Sequence, residues 1–189
     1  MILKFTSPMP PSVNDYLGKK VAQMGRASYV QVYETTKARE YKKYMQKLIK
    51  RAIEQCGWIK PGKDTYVVVE GTFYMERRRK DIDNHWKCLL DSIVESGVVE
   101  DDDIIIPVPV NIFIDSENPR IEIKVYIAPK VGIFKDCEEY GTFVDKNCMS
   151  CNRFNKNCSI LRKSLENRIQ NEINIANMTC DKLKPVKSN

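Results

Sequence analysis

Between Thr65 and Gly97 the hydrophobic pattern changes once, and it changes across an unbroken stretch of charge. TYVVVEGTFYM, residues 65–75, is dense in β-branched and aromatic side chains and predicts a strand. Beyond the charge, Trp86, Leu89, Leu90, Ile93 and Val94 fall at i, i+3, i+4, i+7 and i+8. That stripe predicts a helix beginning within Asp83 to His85 and closed by Gly97. Further on, IIIPVPVNIFID and PRIEIKVYI predict two strands joined by a turn at residues 116–119. Pro107 and Pro109 point to a sheet edge, because proline cannot donate to a ladder.

Upstream, ILKFT predicts a short first strand, MPPSVN a turn or extended segment, and residues 15–32 a polar loop. Ala38, Tyr41, Met45, Leu48, Ala52 and Ile53 recur near the helical period, predicting a helix from about Thr35 to Cys56 that Gly57 stops. Lys37, Lys42, Lys43, Lys47, Lys50 and Arg51 decorate its other face, which either extends a phosphate-binding footprint or is simply solvated. The expected fold class is an α/β (α+β) sandwich in the order β-α-β-α-β-β, with a mixed sheet of about four strands and two main helices. A small cysteine-rich helical tail follows. The expected division is 1–132 for the sandwich and 133–189 for the tail.

With 42% hydrophobic residues in 189, the chain can bury one sizeable core and carry a small module besides. Its 31 basic and 25 acidic residues leave a net charge of +6, which favours an anionic partner without forming a polybasic tail. The opening apolar run is too short for a signal peptide, and no run of about 18 apolar residues occurs. A soluble, cytoplasmic protein without membrane contact is expected. Seven cysteines are an odd number for a secreted disulfide scaffold, so reduced thiols fit better.

The charged stretch is RRRKDIDN, residues 77–84. Mutual neutralisation on a wet surface is the simplest account of it. The alternative is that Arg77, Arg78, Arg79 and Lys80 hold a phosphate backbone while Asp81 and Asp83 hold a metal. On an extended segment these two carboxylates project from the same side and repel, and a hard divalent cation such as Mg²⁺ relieves that repulsion. Asp83 also stands where a helix N-cap belongs, and Asn84 serves equally as a cap or a ligand-orienting group. His85, the only histidine, has no triad partner and is a bystander or phosphate contact; Trp86 belongs to the core stripe. A second acidic group, Asp101, Asp102 and Asp103, opens the next strand, and whether the two groups meet depends on strand order.

MPPSVN, RRRKDIDN, Lys87, the Leu-Leu-Asp at 89–91, Gly97 and the Asp-Asp at 101–102 together resemble the RusA-type Holliday junction resolvases over roughly residues 1–130. The resemblance implies a homodimeric, Mg²⁺-dependent endodeoxyribonuclease that resolves four-way DNA junctions by paired symmetric nicks in recombination and repair. Carried to the matching positions, it implies that Asp81, Asp83 and Asp102 bind the metal and that Lys87 is the catalytic lysine. The triple aspartate departs from the pattern, leaving Asp101 and Asp103 as alternatives to Asp102. Asp91 matches a family acidic position, yet at i+4 from Lys87 an ion pair is its simpler role.

The tail lies beyond the resemblance. Cys137, Cys148, Cys151 and Cys158 are spaced C-x10-C-x2-C-x6-C, and a CxxC among four clustered thiols suits tetrahedral Zn²⁺. A redox CxxC or free thiols are the competing readings. Leu161, Leu165, Ile169 and Ile173 predict a following helix with a narrow stripe, and Cys56, Cys88 and Cys180 stand outside the cluster. The function of a different class compatible with these features is a zinc-bearing DNA-binding or regulatory protein without nuclease activity.

Overall fold

The computed structural model describes residues 1–25, 27–63 and 65–186. The chain divides into two compact units, Met1–Ala128 and Pro129–Asn189.

The first unit is the expected mixed α+β sandwich. β1 (Ile2–Pro8), β4 (Val67–Met75), β5 (Ile105–Ile114) and β6 (Arg120–Ile127) form a four-stranded sheet in the order β1-β6-β4-β5. β4 and β5 run parallel, whereas β6 is antiparallel to both β1 and β4. β5 is an edge, as its two prolines require. α2 (Thr36–Cys56) and α3 (Asp83–Glu95) supply the helical layer. Thr35 caps α2 through its side chain, and Gly57 ends it in the left-handed region at φ 68°. Leu3, Met45, Ile49, Val67, Val69, Phe73, Leu89, Ile93, Ile121 and Val125 are fully buried in the common core.

Gly71 is a packing requirement. A Cβ there would stand 2.9 Å from the Trp86 ring, and that ring meets Phe73 edge-on with centroids 5.3 Å apart. The strand's bulge falls at the same point, between Gly71 and Thr72.

Three expectations in this unit are corrected. The polar loop at 15–32 is instead the end of a short helix, α1 (Val13–Tyr16), followed by a hairpin of β2 (Leu17–Met24) and β3 (Ala27–Glu34). Both faces of this ribbon are largely exposed, so no buried face imposes the alternation by which strands are recognised. Lys42 is not surface decoration: it is buried, with its ammonium 2.5 Å from Glu34 and 2.6 Å from Glu95. Burial alone would depress that ammonium, but the two carboxylates outweigh it and hold its pKa above the ordinary value. Finally, the residue capping α3 is Ile82, with no side-chain cap, and Asp83 is already helical.

The second unit is built on a small apolar cluster of Phe134, Phe143, Cys148 and Leu161. α4 (Cys137–Phe143), capped by Asp136, continues into a wider π-helical turn at Val144–Cys148. The predicted long tail helix is cut short: α5 spans Ser159–Leu165, and Ile173 belongs to a two-residue strand, β7 (Ile173–Asn174), paired with β8 (Thr179–Cys180). Asn167 takes a left-handed φ of 62°, and the N–H groups of Asn167 and Arg168 close back on Ser164 and Lys163. Asparagine tolerates this helix stop, which overrides the every-fourth-residue stripe.

Candidate active site

The segment from Glu76 to Ile82 bends the chain from the end of β4 into α3, with Arg79 at a left-handed φ of 63°. Next to it opens a cleft of about 580 Å³. One wall is the stretch from Met9 to Asp15, with Lys37 of α2; the other carries Glu76, Arg79, Lys80, Asp81, Asn84 and His85. The segment that follows β1 and the charged segment that follows β4 therefore face one cavity. Of the four cations expected to touch DNA, Arg79 and Lys80 line it, while the exposed Arg77 and Arg78 do not.

The charges do not simply cancel. Lys80 pairs with Glu76 at 2.5 Å and holds that carboxyl below its ordinary range. Lys37 pairs with Asp15 at 2.9 Å and lowers Asp15 in the same way. Asp81 and Asp83 are both exposed, and among the described residues neither carboxylate has a hydrogen-bond or ion-pair partner. Two carboxylates thus remain unpaired beside four consecutive cations.

His85 is buried, with Nδ1 2.7 Å from the carbonyl oxygen of Pro10. A carbonyl only accepts, so Nδ1 carries the hydrogen. Burial pushes the imidazole pKa down, outweighing the opposite pull of the Pro10 carbonyl. The ring ties α3 to the segment after β1 as a neutral group.

Lys87, on the exposed face of α3, lies 3.7 Å from Asp91. Asp91 is held more closely by the Tyr16 hydroxyl, which also reaches Glu34 at 3.0 Å. One phenolic proton therefore stands between two carboxylates, and Lys42, 5.2 Å from the centre of the Tyr16 ring, supplies the balancing charge. Asp91 thus belongs to the internal network joining α1, α2 and α3, with Lys87 as its looser partner.

Strand order decides where the second acidic group lies. β5 starts beside the start of β4, Val67 opposite Ile105, and Asp102 opens the 3₁₀ turn just before it. Asp81 and Asp83 follow the other end of β4. A nine-residue strand separates the two groups by about 26 Å at roughly 3.3 Å per residue. Asp101 and Asp103 line a separate, smaller cleft with Lys63 and Glu100. Among the described residues, no three His, Cys, Asp or Glu side chains stand as a formed metal-binding group.

The cleft also holds residues that sequence reasoning missed as site members, Asp15 and Glu76, together with Lys37 from the lysine-rich helix face. Asp15 enters only through tertiary packing, whereas Glu76 directly precedes the four cations and could have been found from that run. Asn14 was visible only as the last residue of MPPSVN.

In the second unit, Cys148 is buried and Cys158 and Cys180 pack against the same apolar cluster. Burial, and then the nearby thiols of Cys158, Cys180 and Cys151, push the Cys148 thiol up to about 11. Cys151 is buried as well, whereas Cys137 is exposed in the first turn of α4.

No helix among the described residues is long and apolar enough to cross a membrane. Residues 8–126 match the family described as Endodeoxyribonuclease RusA. Over 100 residues the chain is 31% identical to the crossover junction endodeoxyribonuclease rusA of Enterobacteria phage HK97, covering 53% of this chain and 73% of that protein. The matched span takes in the cleft, its cations and both acidic groups, and the chain therefore belongs to the RusA family of endodeoxyribonucleases, the RusA-type Holliday junction resolvases.

Proposed function

We propose that the chain is a Mg²⁺-dependent, homodimeric nuclease that resolves four-way DNA junctions by paired symmetric nicks, acting in the cytoplasm in recombination and repair. Residues 1–132 are its nuclease domain, and 133–189 are an appended module. The observation that carries this is the unpartnered state of Asp81 and Asp83. Arg77, Arg78, Arg79, Lys80 and Lys87 are close in sequence, yet Lys80 pairs with Glu76 and Lys87 with Asp91, leaving both carboxylates to a ligand from outside. Left free two residues apart in the chain, they offer hard oxygen donors that fit Mg²⁺.

Asp81 and Asp83, with Asp102, would hold that ion. When bound, Mg²⁺ lowers the pKa of a coordinated water and offsets charge on the phosphodiester oxygens. The chain's own residues do the rest. Arg79, Lys80 and Lys37 draw the phosphate backbone to the cleft and fix its position without reading sequence, and Arg77 and Arg78 extend the basic surface beyond it. Lys87, loosely held at 3.7 Å from Asp91, is free to turn its ammonium onto a phosphate oxygen or the departing 3′ oxygen. Asn84 orients the bound group, and neutral His85 braces the wall.

The position of Asp102 supports the dimer. Within one chain it lies at the far end of β4 from Asp81 and Asp83, so the three-carboxylate set is completed when a second copy brings its own Asp102. Two composite sites related by a two-fold axis match the symmetry of a four-way junction.

The test is incubation with a synthetic four-way junction and Mg²⁺. The unmodified protein is expected to nick two strands symmetrically. Asp83→Asn is expected to lower cleavage by on the order of 10²-fold or more with junction binding retained. Binding without cleavage by the unmodified protein would overturn the proposal in favour of a non-cutting, zinc-bearing DNA-binding protein.

A further inference from the structure

We propose that the unit Pro129–Asn189 is a structural zinc module whose ligands are Cys148, Cys151, Cys158 and Cys180, with Cys137 excluded. The spacing becomes C-x2-C-x6-C-x21-C.

Three chain segments bring these thiols together. Asn147, itself buried, donates through its side-chain amide to the carbonyls of Phe143 and Met178, and its oxygen accepts the N–H of Cys180 at 3.1 Å. That one side chain fastens the β7–β8 hairpin beside Cys148. The backbone N–H of Lys184 donates to the Cys151 sulfur at 3.4 Å, and a bridge pairs Cys151 with Pro185. Cys158 precedes α5 and packs on the same cluster as Cys148 and Cys180.

One of the four sulfurs already has a backbone donor of the kind that supports metal-bound sulfur. At Cys151 the backbone N–H of Lys184 already points at the sulfur. Such N–H to sulfur bonds are the outer support that orients and stabilises metal-bound sulfur. Tetrahedral zinc takes four thiolates. The unit also lacks another staple: all seven cysteines are free, and its core is a handful of residues, which is too little for so short a segment. The thiols are gathered without being closed into a formed ligand group. Zinc would complete the site by drawing them inward, so that binding energy becomes folding energy.

The experiment is zinc analysis of the full chain, purified reduced and without chelator, by inductively coupled plasma mass spectrometry. One zinc per chain is expected. Cys148→Ser and Cys180→Ser should lose most of it, and Cys137→Ser should keep it. Cys180→His, which restores a zinc ligand, should retain metal where serine does not, separating ligation from mere unfolding. The assignment is overturned if the unmodified chain refolded with zinc holds none, or if Cys137→Ser empties the site while Cys180→Ser leaves it full. Metal content is read without any DNA, so its failure would leave the junction proposal untouched.

Discussion

His85 shows how one side chain acquires its role from its surroundings. In the sequence it is a lone histidine just after four cations and two aspartates; in the fold it is a buried, neutral donor to Pro10. Its pKa is lowered from the ordinary 6.5, so the folded state resists protonating it. The stability it contributes is complete above about pH 6.5 and is lost as pH falls from there towards the depressed folded value, at no more than about 1.4 kcal/mol per pH unit. His85→Gln should therefore flatten the decline in urea midpoint between pH 7.5 and 5.5. An unchanged slope would show that His85 does not set it. Lys42 makes a related point: sequence spacing assigned it to the wet face, but Glu34 and Glu95 converge to make its burial tolerable.

At the scale of elements, α3 is held to the sheet through Trp86, and β4 makes room for it by having glycine at position 71. Gly71→Ala would press a methyl carbon to within 2.9 Å of the ring, displacing a side chain that Phe73 also holds. We expect a loss of about 1–3 kcal/mol in chemical denaturation. Because α3 carries Asp83 and Lys87, junction cleavage should fall with it at temperatures where the chain remains folded. Full stability in the variant would mean that the Trp86 ring is not confined. The tail shows the opposite balance between local and tertiary signals. There the stripe of Leu161, Leu165, Ile169 and Ile173 suggested one long helix, and a single left-handed asparagine ended it.

For the whole molecule, the parallel pairing of β4 with β5 is decisive, because it sends Asp102 to the opposite end of the sheet from Asp81 and Asp83. A mixed dimer tests the shared site directly. Co-expressed chains carrying Asp83→Asn and Asp102→Asn under different tags would each be inactive as homodimers. The mixed dimer keeps one composite site with every carboxylate intact, and should nick one strand of a junction. If each chain instead held a complete site, both would be broken in the mixed dimer, and no nick would appear.

Much was legible locally. The strand rich in β-branched residues, the two helical stripes, the prolines at the edge and the RRRKDIDN motif all rest on spacing within about 20 residues. The β2–β3 ribbon was not, because a strand exposed on both faces leaves no alternating pattern. Nor were the place of Asp15 in the cleft wall, the buried position of Lys42, or the gathering of Cys180 with Cys148. These come from contacts between segments far apart in the chain, and nothing in local spacing encodes them. The sequence by itself determined the layered α+β architecture and the types of residue at the site. Only the tertiary structure decided which of them share a cleft, because strand order and helix packing set direction and distance.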